Sequence, residues 1–570
     1  RNPEGQALSA EGREEEIALL RRRLQMARDG DGQIVVLSGE AGVGKSRLIQ
    51  HMRASAIEDG FTMAAARCMA VHANSALLPI TDTLSDLLGL DRDMTAGEAL
   101  SRLEQYVDTL GEPRETSVPL LAAMLGIPVD AAYASAVVGP QRIRALSFEL
   151  LLRLLQRGAA SRPTLLVVED LHWADASTME FLSLLVDHPP MPGLVLVLTV
   201  RDGNSVQIPM RSHVSRLTLA RLSDREVRRM VEQIAGNATL PASLVEQVIS
   251  KTDGVPVFVE ELTRMVLDMG LLERGLVPTD DVASLLRIPD TLQDSLLARL
   301  DRLGDARQVA QLAAVLGRTF PYSLLQAVAD MPADTLAMHL DQLVSAELLY
   351  VRGAIPTAQF TFKHALIQDA AYSLLLRAKR RALHERVANA LTLDLGPDVD
   401  HSLEVRAYHL SEAGRFEEGA SSWLQAAMQA LGRSANNEAI ALLSRAKVVV
   451  DEIVDPSRRA PLELTLMTTL SSAHAAQRGY NAPEAKDAVE RAAQLAEALG
   501  DAPGLFWTMR GLWSAFQVNA DYKRSRSLAH QMLAAAERSG RRAELLEAHW
   551  CIACSCLITN ELDESLHHID

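Results

Sequence analysis

Cysteine is scarce in this chain, with only Cys68 and the trio Cys551, Cys554 and Cys556 among 570 residues. So few thiols, three of them in one short stretch, exclude a disulfide framework and fit a reducing cytoplasm. Long apolar runs are lacking too. No stretch approaches the roughly 18 consecutive apolar residues that suggest a membrane span, although 48% of the residues are hydrophobic, so a soluble protein without a membrane partner is expected. Net positive charge is also absent. A formal charge of −16 gives no general attraction to nucleic acid or anionic lipid, and no direct nucleic-acid binding is expected. The first residue is Arg1 rather than Met, and no signal-peptide apolar region follows, so an upstream segment is expected to have been removed. The length exceeds what one core usually serves, and about three to five domains are expected.

What is present begins with Gln33 to Gln50, QIVVLSGEAGVGKSRLIQ. A β-branched apolar run, Ile34 to Leu37, leads into GEAGVGKS, which fits G-x-x-x-x-G-K-[ST] at every fixed position, and a helix-forming run follows. That order predicts a phosphate-binding loop. Gly39, Gly42 and Gly44 allow positive φ, so successive N–H groups turn inward around an anionic phosphate at a helix N-terminus. Lys45 then reaches the β- and γ-phosphates, and Ser46 offers a hydroxyl to Mg²⁺. The candidate nucleotide contacts of the loop are Gly39, Glu40, Ala41, Gly42, Val43, Gly44, Lys45, Ser46 and Arg47.

Around the loop the pattern alternates. Ile17, Leu20, Leu24 and, less strictly, Met26 mark an amphipathic helix before it, and Phe61 to Arg67 reads as the next strand. Leu77 to Leu155 reads as helices broken at Gly89, Gly111-Pro113, Gly126-Pro128 and Gly139-Pro140, an insertion placed to cover a nucleotide. Thr164 to Val168 is an apolar strand running into Glu169-Asp170, which predicts two carboxylates at its C-terminal edge beside the loop. Glu169 is assigned to Mg²⁺ and Asp170 to polarising a water, although the usual order, Asp first, would exchange the two. Asp175 or Ser177 caps the next helix, with Ser177-x-x-Glu180 fitting a capping box, and His172 is read as a loop histidine satisfied by a hydrogen bond. A third apolar strand, Leu194 to Val200, ends in Arg201, whose guanidinium is placed to sense a γ-phosphate. Arg216 to Leu219 reads as a further strand, and Ser223-x-x-Glu226 as the cap of the following helix. The catalytic set is therefore Lys45, Glu169, Asp170 and Arg201, with Ser46 and Glu169 toward the metal.

GREEEIALL, GEAGVGKSRL, VVEDLHWADAST and the strand ending VLTVR, in that order and spacing, resemble the ATPase module of bacterial STAND-type signalling ATPases, a branch of the AAA-like superfamily. Such modules occur in LuxR-type regulators and behind class III nucleotide cyclase domains. The resemblance runs from about residue 10 to about residue 390, and more loosely to the end. It implies that TDGVPVFVEEL carries a Gly-x-Pro segment at Gly254 and Pro256, with Pro256 against adenine. It also implies that residues 286–376 form a winged helix that packs on the nucleotide module, with a short β tail at Gln359 to Phe362. In FKHALIQDAAYSLLL, His364 stands where relatives place a histidine on the ADP β-phosphate. No arginine finger of the kind used by ring-forming ATPases is assignable.

From His401 the pattern is helical, and residues 496–525 superpose without a gap on 536–565, with Gly500 on Gly540 and Ser525 on Ser565. A 40-residue period with two helices per unit means a helical solenoid close to tetratricopeptide (TPR) architecture. Its final unit stops at the opening of its second helix, so Asp570 is expected inside a helix and the chain truncated there too. The cysteine trio is read as close packing, His549, His567 and His568 lacking a ligand spacing for a metal. Arg377 to Arg386, a basic run, is read as a solvated helix face.

The expected fold is an α/β P-loop NTPase domain followed by helical and winged-helix domains and an all-α TPR-like solenoid. The boundaries are 1–235 for the ATPase, 236–285 for a small helical domain, 286–376 for the winged-helix-like domain and 377–570 for the repeats. The expected function is a cytoplasmic switch that binds ATP or ADP with Mg²⁺ and hydrolyses slowly, its repeats sensing a protein or small-molecule effector, with oligomerisation on activation. A turnover ATPase doing mechanical work on a protein, or a repeat scaffold with a structural nucleotide, are the alternatives. Any cyclase or DNA-binding effector would lie outside these residues.

Overall fold

The computed structural model describes residues 12–69, 72–90, 94–129, 133, 140–202, 208–236, 240–268, 299–363, 365–393, 395–396, 399–479, 482–499 and 506–569. Helix α1 (Glu14–Arg28) leads into β1 (Gln33–Gly39), the phosphate loop and α2 (Lys45–Glu58), then β2 (Thr62–Arg67). Four helices follow: α3 (Leu78–Leu88), α4 (Ala96–Thr109), α5 (Arg114–Leu125) and α6 (Pro140–Ser161). After them come β3 (Thr164–Glu169), α7 (Ala176–Asp187), β4 (Leu194–Arg201) and β5 (Val214–Thr218). The five strands are parallel in the order β2-β3-β4-β1-β5, so β4 stands between the loop strand and the strand that ends in acids.

Burial on both faces explains why β1, β3 and β4 read as unbroken apolar runs. Val35, Leu37, Val167 and Val197 face Leu20, Leu24, Leu48 and Ile49 of α1 and α2. Their neighbours Val36, Leu166, Val168 and Leu196 face Leu182, Leu185 and Val186 of α7. The period of two thus fills two cores from one sheet. α3 to α6 build a third core of their own, closed by Phe148 against Phe181 of α7 with ring centroids 5.8 Å apart. Asp175 is the cap of α7, accepting from the Thr178 N–H at 2.8 Å, and Ser177 lies inside the helix rather than at its cap.

Three helices come next: α8 (Asp224–Ala235), capped by the Ser223–Glu226 box, α9 (Ala242–Thr252) and α10 (Pro256–Asp268). Beyond residue 298 the chain forms α11 (Ala306–Leu316), β6 (Thr319–Pro321), α12 (Tyr322–Val328), α13 (Ala333–Ser345), β7 (Leu349–Arg352) and β8 (Gln359–Phe362). The three short strands make an antiparallel sheet in the order β6-β8-β7. α14 (Ala365–Ser373) and α15 (Arg377–Ala390) join this core, α15 through Leu383 and Val387.

The rest is a run of helices in which each packs on the next. They are α16 (Leu403–Glu412), α17 (Phe416–Gly432), α18 (Asn436–Asp451), α19 (Pro456–Arg478), α20 (Pro483–Leu499), α21 (Phe506–Val518), α22 (Tyr522–Ser539), α23 (Arg542–Ile558) and α24 (Leu562–Ile569). Ser525 and Ser565, one period apart, are both buried at the starts of α22 and α24. Cys551 and Cys556 sit in the same core as Ala and Leu side chains, and burial pushes the Cys551 thiol up to about 12. Cys556, Glu561 and Glu564 lie close together, but Arg526 pairs with both glutamates. Asp570 lies outside the described residues, and no described helix is long and apolar enough to cross a membrane.

These helices fold back on the α/β domain. Glu438 of α18 is buried and accepts the Ser177 N–H at the start of α7. His72 pairs with Asp400 at 2.9 Å, and Arg144 donates to the Ser434 carbonyl at 3.0 Å. Burial beside Glu438 raises the Asp175 carboxyl to about 6, against the hydrogen bonds it accepts from Thr178 and Leu77.

Candidate functional site

A cavity of about 220 Å³ sits over the C-terminal edge of the parallel sheet. Ala41 to Leu48 form its floor, and Gly44 takes φ 107° where α2 begins. The register explains why the floor lies there: Gly39 pairs with Arg201, so the loop turns away from β1 beside the end of β4. Arg201 and Asp170 line the cavity together with Lys45 and Ser46. Asp170 leaves β3 in a left-handed conformation, φ 61°, its N–H donating to the Thr199 hydroxyl at 2.8 Å.

Lys45 is folded onto its own loop. Its ammonium donates to the Gly39 and Glu40 carbonyls at 2.6 and 2.9 Å, and burial pushes its pKa down while Asp170 opposes that. Gly39 and Glu40 therefore act behind the cavity wall and do not line it. The Glu40 carboxylate is instead held by Arg221 at 2.8 Å.

Glu169 is separated from its expected companions. Its carboxylate bonds the Arg53 guanidinium of α2 at 2.9 Å, and it does not line the cavity. Asp170, whose carboxylate is 3.6 Å from Arg67, is the acid that does. Strand order gives the reason. With β4 inserted, β3 ends one strand away from the loop, and only the residue beyond its end reaches across. His172 departs from expectation too: both ring nitrogens are buried without a hydrogen-bond partner, and the ring packs on Trp173 at 5.1 Å. Burial, with Arg201 and Lys45 nearby, lowers its pKa. The α3 to α6 insertion contributes no side chain to the cavity among the described residues, its apolar surface being spent on Phe181.

The Gly-x-Pro segment closes one side. Gly254 has φ 71°, and a Cβ there would meet the Leu222 carbonyl at 2.1 Å, so the close approach requires glycine. Its carbonyl accepts the Leu222 N–H at 2.7 Å. Pro256 and Val257 line the cavity, and the Val257 N–H donates to the Gly42 carbonyl of the phosphate loop at 3.3 Å. Arg47 lines it as well, near Glu260. His364 lies outside the described residues.

Several lining residues carry no sequence signal of their own. Leu222, Met230 and Leu366 add an apolar wall, Arg13 donates to the Val43 and Ala220 carbonyls, and Arg318 enters from just before β6. Arg13 stands in the GREEE phrase and Arg318 at the end of an Ala- and Val-rich helix, but neither position has a spacing rule tying it to the loop. Next to the cavity, Glu260 of α10 bonds Lys363 at 3.0 Å, and Lys363 also bonds Glu347 at 2.9 Å. Arg264 joins both glutamates, and Glu261 pairs with Arg299. This cluster ties α10 to the β6–β8 unit.

Residues 11–198 match the family model of the AAA ATPase domain. An uncharacterized protein of Rhizobium meliloti (strain 1021) is 25% identical over 473 residues, covering 82% of this chain and 45% of that protein. The chain therefore spans under half the length of this curated relative. Among solved structures, a STAND protein with a tetratricopeptide repeat sensor from Pyrococcus horikoshii matches with 12% identity and a TM-score of 0.38, over 96% of this chain and 75% of that one. A RuvB variant from Thermotoga maritima matches with 17% identity and a TM-score of 0.27, over 62% and 93%. By its phosphate loop and its parallel sheet, the amino-terminal part of the chain is a parallel α/β P-loop NTPase-like domain, and its residues 11–198 are similar to the AAA ATPase domain.

Proposed function

We propose that the chain is a nucleotide-dependent switch that binds ATP or ADP with Mg²⁺ and hydrolyses ATP slowly. The observation that carries this reading is the composition of one cavity. Its walls come from the phosphate loop, from Pro256 to Glu260 of α10, and from Arg318 and Leu366 of the next unit, so a bound nucleotide would be an element of packing among three parts of the chain. The apolar wall of Leu222, Met230, Pro256 and Val257 suits a purine, and Lys45, Arg201 and the loop amides suit its phosphates.

Ser46 and Asp170 are hard oxygen donors on the same cavity, a set that fits magnesium. When bound there, the ion would neutralise charge between the terminal phosphates. Asp170 thus takes the metal-side role, in the exchanged assignment, and Glu169 holds Arg53. Arg201 reads the terminal phosphate from the end of β4. To meet it, Lys45 exchanges its loop carbonyls for phosphate oxygens.

The helix, strand and two-helix order of α11 to α13 followed by the β7–β8 hairpin supports the winged-helix reading, and the stacked helices from α16 support TPR-like repeats. Their stacked surface would take a protein or small-molecule effector, with oligomerisation on activation. Transcriptional or cyclase output would come from parts of a longer protein.

The test is to denature the purified protein, identify any released nucleotide by ion-pair chromatography with its stoichiometry, and compare Lys45→Ala. Near-stoichiometric ADP, lost in Lys45→Ala, is the expected result. A protein free of nucleotide that turns over ATP many times would replace the switch with a working motor. Bound nucleotide whose loss lowers stability but leaves effector binding unchanged would favour a scaffold.

A further inference from the structure

We propose that His530, His549, His568 and Glu564 form a binding site for one late first-row metal dication, such as zinc, on the repeat helices and apart from the nucleotide cavity. The ion clamps α24 to α22 and α23, and the site stands independently of the nucleotide reading.

Convergence is the first argument. His530 lies on α22, His549 on α23, and Glu564 and His568 one turn apart on α24. Spacing along the chain hides them as ligands, since 19 residues separate His549 from His568, but the turn between α23 and α24 brings their Nδ1 atoms to 2.8 Å. One turn before His568, the Ser565 hydroxyl donates to the Ala553 carbonyl at 3.0 Å and fixes α24 on α23. His530 Nε2 is 3.5 Å from Glu564 Oε1, and the His530 ring centroid is 6.5 Å from that of His568. Arg526 holds the other Glu564 oxygen, so Oε1 stays on the His530 side. Tetrahedral zinc, with Zn–N about 2.0–2.1 Å, spaces its ligands about 3.3 Å apart, so the histidine pair opens by about half an ångström and side-chain rotation draws in His530 and Glu564.

The second argument is departure from the repeat. His549 and His568 stand one period after Met509 and Leu528, which are both buried in the apolar core of the stack. The preceding repeat fills these two places with apolar side chains, so packing alone does not call for imidazoles.

A second histidine pair supplies the third argument. His384 and His409 also meet at 2.8 Å, but both are buried, and His384 lies between Tyr372 and Tyr408. His549 and His568 are only half-buried and have a carboxylate near them. Burial, with His549, His567 and His530 adding to it, lowers the His568 pKa while Glu564 opposes. Its ring is then neutral at pH 7, the form that binds a metal. Imidazoles with one carboxylate suit zinc, copper or nickel better than magnesium or calcium. His567 stands about 100° further round the helix and is left out of the set.

The experiment titrates Zn²⁺ by calorimetry into the untagged full chain in chelator-free buffer, as wild type, His549→Met, His568→Leu, the double variant, His530→Ala, Glu564→Gln and His567→Ala. His549→Met and His568→Leu copy the preceding repeat and so preserve packing, which equal melting temperatures without zinc verify. Wild type should bind one zinc that the double variant does not bind. Each single change at the four ligands should weaken that zinc by about tenfold or more, and His567→Ala should leave it within about threefold. Zinc at about 100 times its Kd should slow amide exchange in α24 by up to about 100-fold in wild type and not in the double variant. Wild type without this zinc, or a double variant that keeps it, overturns the site. Equal weakening by His567→Ala reduces it to loose attraction by surface histidines and overturns it too, as does binding that leaves α24 exchange unchanged. Zinc held at the nucleotide cavity is common to all the variants, so the comparison removes it.

Discussion

At Asp170 the backbone turns left-handed, a conformation aspartate tolerates better than most residues, and the turn carries its carboxylate to the cavity while Glu169 stays with Arg53. The two acids should therefore respond differently to neutralisation. Asp170→Asn should lower single-turnover ATP hydrolysis by about 100-fold or more with little change in melting temperature. Glu169→Gln should instead cost about 1 kcal/mol of stability through the weakened Arg53 pair and leave hydrolysis within a few-fold. Rapid-quench kinetics and thermal unfolding of both variants check this, and equal kinetic losses would restore Glu169 to the site. Gly254→Ala tests a backbone requirement. With φ at 71° and a Cβ 2.1 Å from the Leu222 carbonyl, it should destabilise the domain by about 2 kcal/mol or more and weaken nucleotide binding by shifting Pro256. Calorimetry and titration read the two effects, and a neutral substitution would remove the close-packing argument. At this scale the loop residues were legible, because phosphate chemistry fixes their spacing. Glu169 and Asp170 were legible as a pair at the end of β3 but not in their surroundings, Arg53 for the first and the cavity for the second, which depend on β4 lying between β1 and β3. Arg318 was not legible, being more than 270 residues from Lys45 with no local rule to link them.

Among the elements, α15 and α16 meet through two buried histidines. His384 and His409 face each other Nδ1 to Nδ1 at 2.8 Å, so one must donate and the other accept, and Tyr372 reaches His384 Nε2 at 2.9 Å. Burial lowers His384 from 6.5 to about 4, with Arg380 adding to the shift, and lowers His409 to about 3, with His384 adding to it. Both folded pKa values lie below the unfolded one, so the unfolded chain binds more protons as pH falls below 6.5. The contribution to stability is complete above pH 6.5 and is lost as pH falls toward 4. Between pH 7.5 and 5, wild type should lose about 4 kcal/mol more stability than the double variant His384→Leu/His409→Leu, about 2 kcal/mol for each histidine. Thermal unfolding at several pH values checks it, and parallel pH profiles would refute it. His72, raised by Asp400 against its burial, acts in the opposite sense but equally in both proteins, so the comparison removes it. The sequence showed these helices but not their junction. Helix breakers such as Gly89 and Gly126 were readable because each takes φ > 0 at a helix end. Arg377 to Arg386 read as a solvated face, whereas Arg386 donates to the Val328 carbonyl, Lys379 to Gln311 and Arg380 stacks on Tyr372.

For the molecule as a whole, the decisive contacts join the repeats to the α/β domain. Glu438 supplies a buried anion to the N-terminus of α7, the helix that follows Asp170 by one short loop. Glu438→Lys places a cation there instead and should cost about 3 kcal/mol at this contact. The expected result is a larger radius of gyration by solution scattering and faster proteolysis between the α/β domain and the repeats. An unchanged scattering profile would mean that apolar packing holds the arrangement without Glu438. The 40-residue period made the helical stack legible, since each pair must bury a face on the next. Its return onto the α/β domain was not, because isolated residues such as Asp400, Ser434 and Glu438 carry it and no periodicity marks them.

The placement of α10 has a mechanical consequence. Its first turn is hydrogen-bonded to the Gly42 carbonyl, and its next turn carries Glu260, which grips Lys363. A helix is stiff over one turn, about 5.4 Å, so no compliant segment lies between these two attachments. A shift of the phosphate loop would therefore be carried by α10 to the β6–β8 unit, and a load on that unit would return to the loop by the same linkage.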